Sequence, residues 1–332
     1  MIEKDNNLRE RVKDIAVTLE SVPYDVAKDS LYDAASLYRG YDYTKPETFA
    51  TCYDSVVYQH YIETGKIAED EKELLARSLH DYAMNKNMRR FLTQYNKRRG
   101  VAVMGGHALA RTNEMYGQIA LLSKKLTERG FIMISGGGPG AMEATHLGAW
   151  LAGHPDEALT ESLKELHKYP TFRDEGWLAS AFHVMQSYPK KDGYQSLGIP
   201  TWTYGHEPAS PFATHIAKFF ENSIREDSIL TLAFGGIIYT PGSAGTLQEI
   251  FQDAVQNHYL SFDYASPMVF LGKKFWSKEV PIYPLLEKFM ERGIYKNLKL
   301  ALTDDLDEIT EIFHHFYETG AKEIGDELLV DR

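Results

Sequence analysis

Residues 131–144 read FIMISGGGPGAMEA, and this stretch decides the fold that the sequence predicts. Its first five residues form a short apolar run typical of a buried strand, and the glycine-rich turn after them leads into a helix start. Residues 237–249, IIYTPGSAGTLQE, repeat the order of strand, glycine turn and helix start. Strands that alternate with helices predict an α/β fold, here a Rossmann-like parallel sheet flanked by helices.

Further segments extend this alternation along the chain. We expect strands at 101–105, 131–135, 179–185, 229–233, 237–240 and 267–271, and helices at 113–129, 211–227, 246–257 and from about 306 onward. In such sheets the ligand binds at the carboxyl ends of the strands, near the point where the strand order reverses. Both glycine turns are therefore predicted to face one site.

The first hundred residues have a different texture, without a glycine-rich turn. Leu8, Val12, Ile15 and Leu19 recur at helical spacing, and residues 69–95 contain few helix breakers. We therefore predict a helical N-terminal region over residues 1–98, as an extension of the α/β fold. The α/β domain itself would then span residues 99–332.

Composition and charge exclude several classes of protein. The 36 Lys and Arg residues against 47 Asp and Glu give a formal net charge of −11, which disfavours sequence-blind nucleic-acid binding but leaves room for a small anion. Cys52 is the single cysteine, so no intrachain disulfide can form. No stretch resembles a signal peptide or a membrane span, and no spacing suits a metal. We expect a cytoplasmic protein with no membrane partner, no metal and no cofactor.

The first glycine turn, residues 136–141, has three interpretations. Its backbone could approach an anionic ligand, with the helix start supplying unpaired N–H groups and a positive dipole end. Gly136, Gly138 and Ala141 also match the dinucleotide fingerprint G-x-G-x-x-A, although the turn follows the second strand rather than the first. The acidic residues at 156–157, near the distance that this fingerprint requires, follow no strand. The third interpretation is a plain tight turn.

The second turn, residues 241–246, raises a question about Glu249. Thr246 and Glu249 have the spacing of a capping box, which would explain Glu249 without any chemistry. The alternative places its carboxylate beside a ligand. Ser243 does not stand in a G-x-S-x-G motif, so we interpret it as a hydrogen-bond donor at most.

Taken together, SGGGPGAMEA (135–144) and PGSAGTLQE (241–249) resemble the LOG family, once described as lysine decarboxylases, and specifically its larger bacterial nucleotide-nucleosidase branch. The family's second motif is P-G-G-x-G-T-x-x-E. The residues that match it are Pro241, Gly242, Gly245, Thr246 and Glu249, and Ser243 stands where the family has its second glycine. Arg225 matches the arginine that the family carries on a helix before that strand. The resemblance covers roughly residues 101–303.

The resemblance implies an enzyme that hydrolyses the N-glycosidic bond of nucleoside 5′-monophosphates such as AMP, releasing free base and ribose 5-phosphate. Glu249 and Arg225 would be the catalytic residues. Glu249 would stabilise positive charge at C1′ and orient or deprotonate the water, while Arg225 would stabilise the phosphate or the leaving group. The residues implied to bind phosphate and ribose are Gly136, Gly137, Gly138, Gly140, Glu143, Gly242, Ser243, Gly245 and Thr246. A homodimer or larger homo-oligomer is also implied.

Simpler explanations exist for two of these side chains. Arg225 could pair with Glu221 one turn earlier on its helix, a contact worth only about 0.2–0.5 kcal/mol. Glu143 could merely complement the helix dipole.

The loop at 199–208, IPTWTYGHEP, is the candidate for base recognition. Trp202 and Tyr204 offer stacking faces, and His206 and Glu207 offer polar edges. His107 follows the first strand and could face the same pocket. The alternative is a surface loop whose aromatic residues are anchored in the core.

Two other classes of function stay open. A protein of this fold could bind a nucleotide as a sensor or carrier without turning it over, and the serine at position 243 favours this alternative. The first glycine turn by itself would suit an NAD-dependent oxidoreductase.

Overall fold

Seven short strands form one parallel sheet in the order β4-β3-β2-β1-β5-β6-β7. The structure, a computed structural model, describes residues 15, 19, 21–204 and 207–330, with only the backbone of 321–330. The strands are β1 Gly100–Met104, β2 Ile132–Ser135, β3 Ser196–Gly198, β4 His215–Ile216, β5 Gly236–Tyr239, β6 Pro267–Phe270 and β7 Lys299–Leu302.

The central strands are buried on both faces, as a parallel sheet requires. Along β1, Val101 and Val103 pack into one hydrophobic layer, while Ala102 and Met104 pack into the other. This alternation follows from the two-residue period of a strand. The apolar runs of the sequence are continuous because both faces are covered.

Helices cover both faces of the sheet. Their bounds are α1 Ala34–Leu37, α2 Tyr53–Glu63, α3 Glu71–Leu92, α4 Glu114–Glu128, α5 Ala141–Trp150, α6 Asp156–Leu166, α7 Trp177–Ser187, α8 Asn222–Leu232, α9 Ala244–Tyr259, α10 Ile282–Glu291 and α11 Leu306–Val330. Apolar residues of α4 to α7 and α11 form one layer. Those of α1 to α3 and α8 to α10 form the other.

The predicted fold class, a Rossmann-like parallel sheet flanked by helices with a helical N-terminal extension, is confirmed. The helix expected at 113–129 is α4, which begins after the capping residue Asn113 and ends before Gly130, whose φ is +83°. The strands around both glycine turns are also confirmed. Of the helical pattern at residues 8–19, most lies outside the described residues.

Three predicted segments are wrong. Residues 179–185 and 229–233, expected as strands, lie within α7 and at the end of α8. Short apolar runs do not distinguish a buried strand from a buried helix, and both runs face the core. Residues 211–227, expected as one helix, instead contain the short strand β4 and only the start of α8, because Glu221 caps the helix there.

The N-terminal region packs directly on the α/β sheet. Tyr32 pairs with Ile216 through two backbone hydrogen bonds of 2.9 and 2.7 Å and so covers the sheet edge at β4. Leu37, Val57 and Met84 are fully buried in the layer that also contains residues of the sheet. The domain boundary at residues 98–99 stays a prediction.

Candidate functional site

The strand order reverses at β1. From β1 the chain adds β2, β3 and β4 on one side, then returns to place β5 on the other side. The loops after β1 and β5 therefore separate and leave a crevice, which is where sheets of this kind bind ligands. The first glycine turn follows β2, and the second follows β5. Both thus flank the loop after β1 at the carboxyl edge of the sheet.

Most glycines of the first turn are required by neighbouring protein segments. A Cβ on Gly137 would lie 2.7 Å from Pro200 Cδ, and one on Gly140 would lie 2.5 Å from the carbonyl oxygen of Gly106. Both residues also have positive φ, +69° and +70°. A Cβ on Gly136 would lie only 2.1 Å from Arg225 Nη2. The triple glycine therefore allows other loops and one arginine to approach the turn.

Hydrogen bonds to neighbouring segments hold the first turn in place. The N–H of Gly137 donates to Ser135 Oγ at 3.1 Å, and the Gly137 carbonyl accepts from the N–H of Ser210 at 2.7 Å. Ser135 Oγ lies 2.8 Å from His146 Nε2. Burial lowers the pKa of His146 to about 3, so this imidazole is neutral. The Gly137 amide is thus already occupied.

Two amides of this turn have no acceptor in the described part of the protein. Among the described residues, the N–H groups of Gly138 and Gly140 donate to no backbone or side-chain acceptor. Near Gly138, a Cβ would lie 3.8 Å from the carboxylate of Glu207. A phosphate at this turn would therefore depend on few amides and would need a cation nearby.

Glu143 belongs to a buried ion pair, and the ribose contact that the resemblance implied for it stays a prediction. Its carboxylate is fully buried and accepts hydrogen bonds from Arg111 Nε at 3.0 Å, Arg111 Nη2 at 2.5 Å and Tyr116 OH at 2.9 Å. Burial disfavours the charge of Arg111, but Glu143 outweighs this and raises the arginine's pKa. Both oxygens of Glu143 thus accept hydrogen bonds from within the protein, and the carboxylate is the counter-charge of Arg111.

The second turn is open where the first is packed. Helix α9 begins at Ala244 with Ser243 as its N-cap, and the Ser243 side chain forms no capping hydrogen bond. Ser243, Ala244 and Gly245 are exposed, and a Cβ on Gly245 would meet nothing within 4 Å. Thr246 is buried, with its Oγ1 against Gly242. The first-turn N–H groups of a 16-residue helix thus face open space, a favourable arrangement for an anion.

The start of α9 shows whether Thr246 and Glu249 form a capping box. Since Ser243 is the N-cap, Thr246 is the third residue of α9 and cannot cap it. Glu249 lies one turn further along and forms no hydrogen bond or ion pair with any described residue. Burial raises the pKa of Glu249 to about 7, although Arg225 opposes the shift. The capping explanation for Glu249 therefore does not apply.

Arg225 is the cation of this crevice. Its Nε donates to the carbonyl of Ile199 at 2.9 Å, and Nη2 lies 3.5 Å from the carbonyl of Gly136. Among the described residues it forms no ion pair, with Glu221 or any other acid. Burial lowers its pKa, opposed first by the charge of Glu249. The guanidinium keeps spare N–H donors between the two turns.

The base-recognition loop divides into buried and exposed parts. Trp202 is 1% exposed, its ring stacks on Phe220 at 4.5 Å, and its Nε1 donates to Asp54 at 2.9 Å. This side chain has no face open to a ligand, so it follows the core-anchor alternative. Tyr204 is 54% exposed and donates to Glu226 on α8, beside Arg225. His206 lies outside the described residues.

His107 borders a cavity beside the first turn. Its exposed imidazole is 3.9 Å from the carboxylate of Glu207. The cavity has a volume of about 240 Å³ and is bordered by Pro139, Phe172 and Trp177. A planar group attached to a ligand at the glycine turns could extend towards it.

Sequence reasoning missed two side chains of this site, Glu226 and Arg111. Glu226 accepts a hydrogen bond from Gln248 at 3.4 Å. Its position directly after Arg225 is the feature of the sequence that could have identified it. Arg111, the partner of Glu143, had no signal because the pairing spans distant parts of the chain.

Two further observations concern metals and membranes. Within residues 15, 19, 21–204 and 207–320, no three His, Cys, Asp or Glu side chains are arranged to bind a metal ion. None of the helices in the described part of the chain combines the length and apolar character needed to cross a membrane.

Comparison with known proteins adds only distant structural similarities. No protein-family model matches this chain. No curated protein gives a significant match. The molybdenum cofactor binding protein of the phototrophic bacterium Rippkaea orientalis is similar in structure at 15% identity and a TM-score of 0.40, over 66% of this chain and 95% of that one. The Moco carrier protein of Chlamydomonas rheinhardtii is similar at 16% identity and a TM-score of 0.39, over 66% and 97%.

Proposed function

We propose that this chain binds a phosphorylated, nucleotide-like small molecule at the carboxyl edge of its sheet, as a carrier or sensor of that molecule. The observation that carries the proposal is Arg225, a partly buried guanidinium with spare donors and no acidic partner among the described residues. Such a charge is costly unless an anion completes its environment. Because the chain has a net charge of −11, a cation without an acidic partner in this crevice indicates a local site for an anion.

The open start of α9 supplies the second half of the site. Its free amides and its positive dipole end favour a phosphate, and the amides of Gly138 and Gly140 in the first turn also have no acceptor among the described residues. Tyr204, exposed beside Arg225, offers a surface for a flat group of the ligand. Membership of the LOG family is part of this proposal.

Binding is tested by isothermal calorimetry with a panel of nucleoside 5′-monophosphates, the matching nucleosides and ribose 5-phosphate. Molybdenum cofactor joins the panel because the two structural neighbours are named for it. We expect phosphorylated compounds to bind and nucleosides to fail. Arg225→Gln should weaken binding by about 1.5–3 kcal/mol, the range for hydrogen bonds to charged groups.

Arg292→Gln is the matched control, because Arg292 is exposed at the end of α10. Equal affinities in wild type and Arg225→Gln would remove Arg225 from the site. An absence of binding by every phosphorylated compound would refute the proposed function.

Hydrolysis of the bound nucleotide is the second candidate, and Glu249 favours it. A carboxylate near the arginine repels a phosphate and therefore weakens a site meant only for binding. Its pKa of about 7 keeps it partly ionised at neutral pH, a suitable range for a general base. In this reaction the C1′–N bond breaks, the oxygen of water bonds to C1′, and the departing base gains a proton. Glu249 would accept the proton of the water and stabilise the charge at C1′.

Release of free base and ribose 5-phosphate distinguishes the two candidates. Under the hydrolysis candidate, Glu249→Gln should reduce base release by about 10²-fold or more while binding persists. Asp253→Asn is the matched control: Asp253 is a buried acid one turn further along α9, also with a pKa of about 7, but Tyr239 OH donates to it at 2.7 Å. Binding without release by wild type would leave the carrier or sensor function alone.

A further inference from the structure

Two buried carboxylates of the N-terminal region contact the segment that leads to Arg225. Asp81 on α3 accepts from the N–H of Phe220 at 3.0 Å and from the N–H of Glu221 at 2.8 Å, immediately before α8 begins. Asp54 on α2 accepts from Trp202 Nε1 at 2.9 Å and from Lys218 Nζ at 2.6 Å. The two carboxylates are 2% and 0% exposed. The hydrogen bonds of each carboxylate therefore connect the N-terminal region with residues 199–221.

The contacts of Asp81 and Asp54 hold the two segments that form the hydrogen bond between Arg225 Nε and the carbonyl of Ile199. Arg225 lies in the first turn of α8, so the backbone that Asp81 binds sets the position of its Cα. The carbonyl that accepts from Arg225 Nε belongs to Ile199, three residues before Trp202. Asp81 thus fixes the donor's helix, and Asp54 fixes the acceptor's loop. Among the described residues, no acid pairs with Arg225, so these contacts set its direction.

Asp81 is itself held by a chain of polar groups. His80 Nδ1 lies 3.1 Å from Asp81 Oδ1, His80 Nε2 lies 3.0 Å from Tyr32 OH, and Tyr32 OH lies 3.0 Å from Tyr53 OH. His80 and Tyr32 are buried. These hydrogen bonds restrict the orientation of the Asp81 carboxylate. A precise binding site needs such support for the residues that position its ligand-binding groups.

We propose that Asp81 and Asp54 are positioning residues for Arg225, and that the N-terminal helical region preorganises the ligand site. The proposal rests on the proposed function, since it takes Arg225 as the group that binds the anion. The simpler alternative is that these carboxylates only stabilise the packing of two parts of the chain. In that case their loss would lower stability without any specific effect on Arg225.

The test compares Asp81→Asn with Asp70→Ala in the full chain. Asn at position 81 keeps the size of the side chain but offers one acceptor for two amides. Asp70 caps the far end of the same helix by accepting from the N–H of Lys72. Its loss should destabilise α3 by about 1 kcal/mol without touching residues 199–221. Asp54→Asn tests the second anchor in the same way.

Two readouts separate this proposal from the proposed function. Without ligand, hydrogen–deuterium exchange should become faster in peptides covering 199–204 and 219–226 for Asp81→Asn, but not for Asp70→Ala. With AMP as the probe, the affinity of Asp81→Asn should fall at least about tenfold, as expected when a binding group is displaced. In an Arg225→Gln background the same substitution should change the affinity little, because Asp81 acts through Arg225.

Each other outcome overturns one of the two proposals. Unchanged exchange in 219–226, an affinity loss that is additive with Arg225→Gln, or an equal loss in Asp70→Ala would refute the positioning role. The expected exchange pattern in a wild-type protein that binds neither AMP nor any other phosphorylated compound would refute the proposed function and leave the anchoring of α8 established.

Discussion

The two glycine turns share a sequence pattern and differ in what surrounds them. In the first turn, residues 136–141, neighbouring loops and Arg225 occupy the space that side chains would fill. In the second, residues 241–246, the helix start is exposed and Gly245 faces open space. The acids that follow also differ, since Glu143 is fully paired and Glu249 is not. Similar glycine motifs thus have two uses, close packing in one turn and an open helix start in the other.

The largest expected effect concerns the paired acid of the first turn. Glu143→Gln removes the partner of Arg111 and leaves a guanidinium that is 1% exposed without a counter-charge. Breaking a buried ion pair from one side costs about 3–5 kcal/mol. Urea unfolding should report a loss of this size. A variant as stable as wild type would show that the charge of Glu143 does not stabilise the fold.

The next effect contrasts glycines of the two turns. Gly140→Ala places a Cβ 2.5 Å from a backbone oxygen at φ +70°, and we expect a loss of about 2–3 kcal/mol in unfolding free energy. Gly245→Ala is the matched control, since it adds a methyl group to open space in the first turn of α9 and should stay within about 0.5 kcal/mol. Similar losses in both variants would contradict the difference between the turns.

Gly136→Ala tests the contact between the first turn and Arg225. The new Cβ would lie 2.1 Å from Arg225 Nη2 and 2.6 Å from Met142 Sδ, both in flexible side chains, so these two side chains should move while the fold is retained. We expect a loss of about tenfold in affinity for phosphorylated ligands, with only a minor change in Tm. Calorimetry with AMP measures this. The Arg225→Gln background should abolish the effect, and an effect that persists there would show that the new methyl group does not act through Arg225.

The smallest effect concerns pH and Glu249. Because its pKa is about 7 in the folded protein and 4.5 as a free side chain, the folded state binds the proton more tightly. The contribution of Glu249 to stability is therefore fully present below pH 4.5 and is lost as the pH rises through 7. Glu249→Gln removes this loss, so its Tm should exceed that of wild type above pH 7 and converge with it near pH 4.5.

After allowance for solvent around a partly exposed carboxyl, the gain above pH 7 should be about 1 kcal/mol. Asp253 titrates in both proteins, so its contribution cancels in the difference. A difference in Tm that is independent of pH would show that Glu249 titrates normally.

The fold was predictable where strand runs stand beside glycine turns. Apolar runs of four or five residues before each turn could only be buried strands, since a glycine turn and a helix follow them at once. The runs in α7 and α8 lacked such neighbours, and their apolar residues face the core in a helix as they would in a strand. Local pattern is ambiguous there because burial is set by distant segments.

For the site, sequence and tertiary structure answered different questions. The sequence alone established an acidic α/β chain with two strand–turn–helix units, because turn chemistry and helix starts are local properties. Glu143 and Glu249 stand just after these turns, and the family resemblance added Arg225. Only the tertiary structure decided which groups are free. Arg111 reaches Glu143 from 32 residues away, and Asp54 reaches Trp202 from 148 residues away. A carboxylate or an indole is available to a ligand only if no distant partner has used it, and no local pattern contains that information.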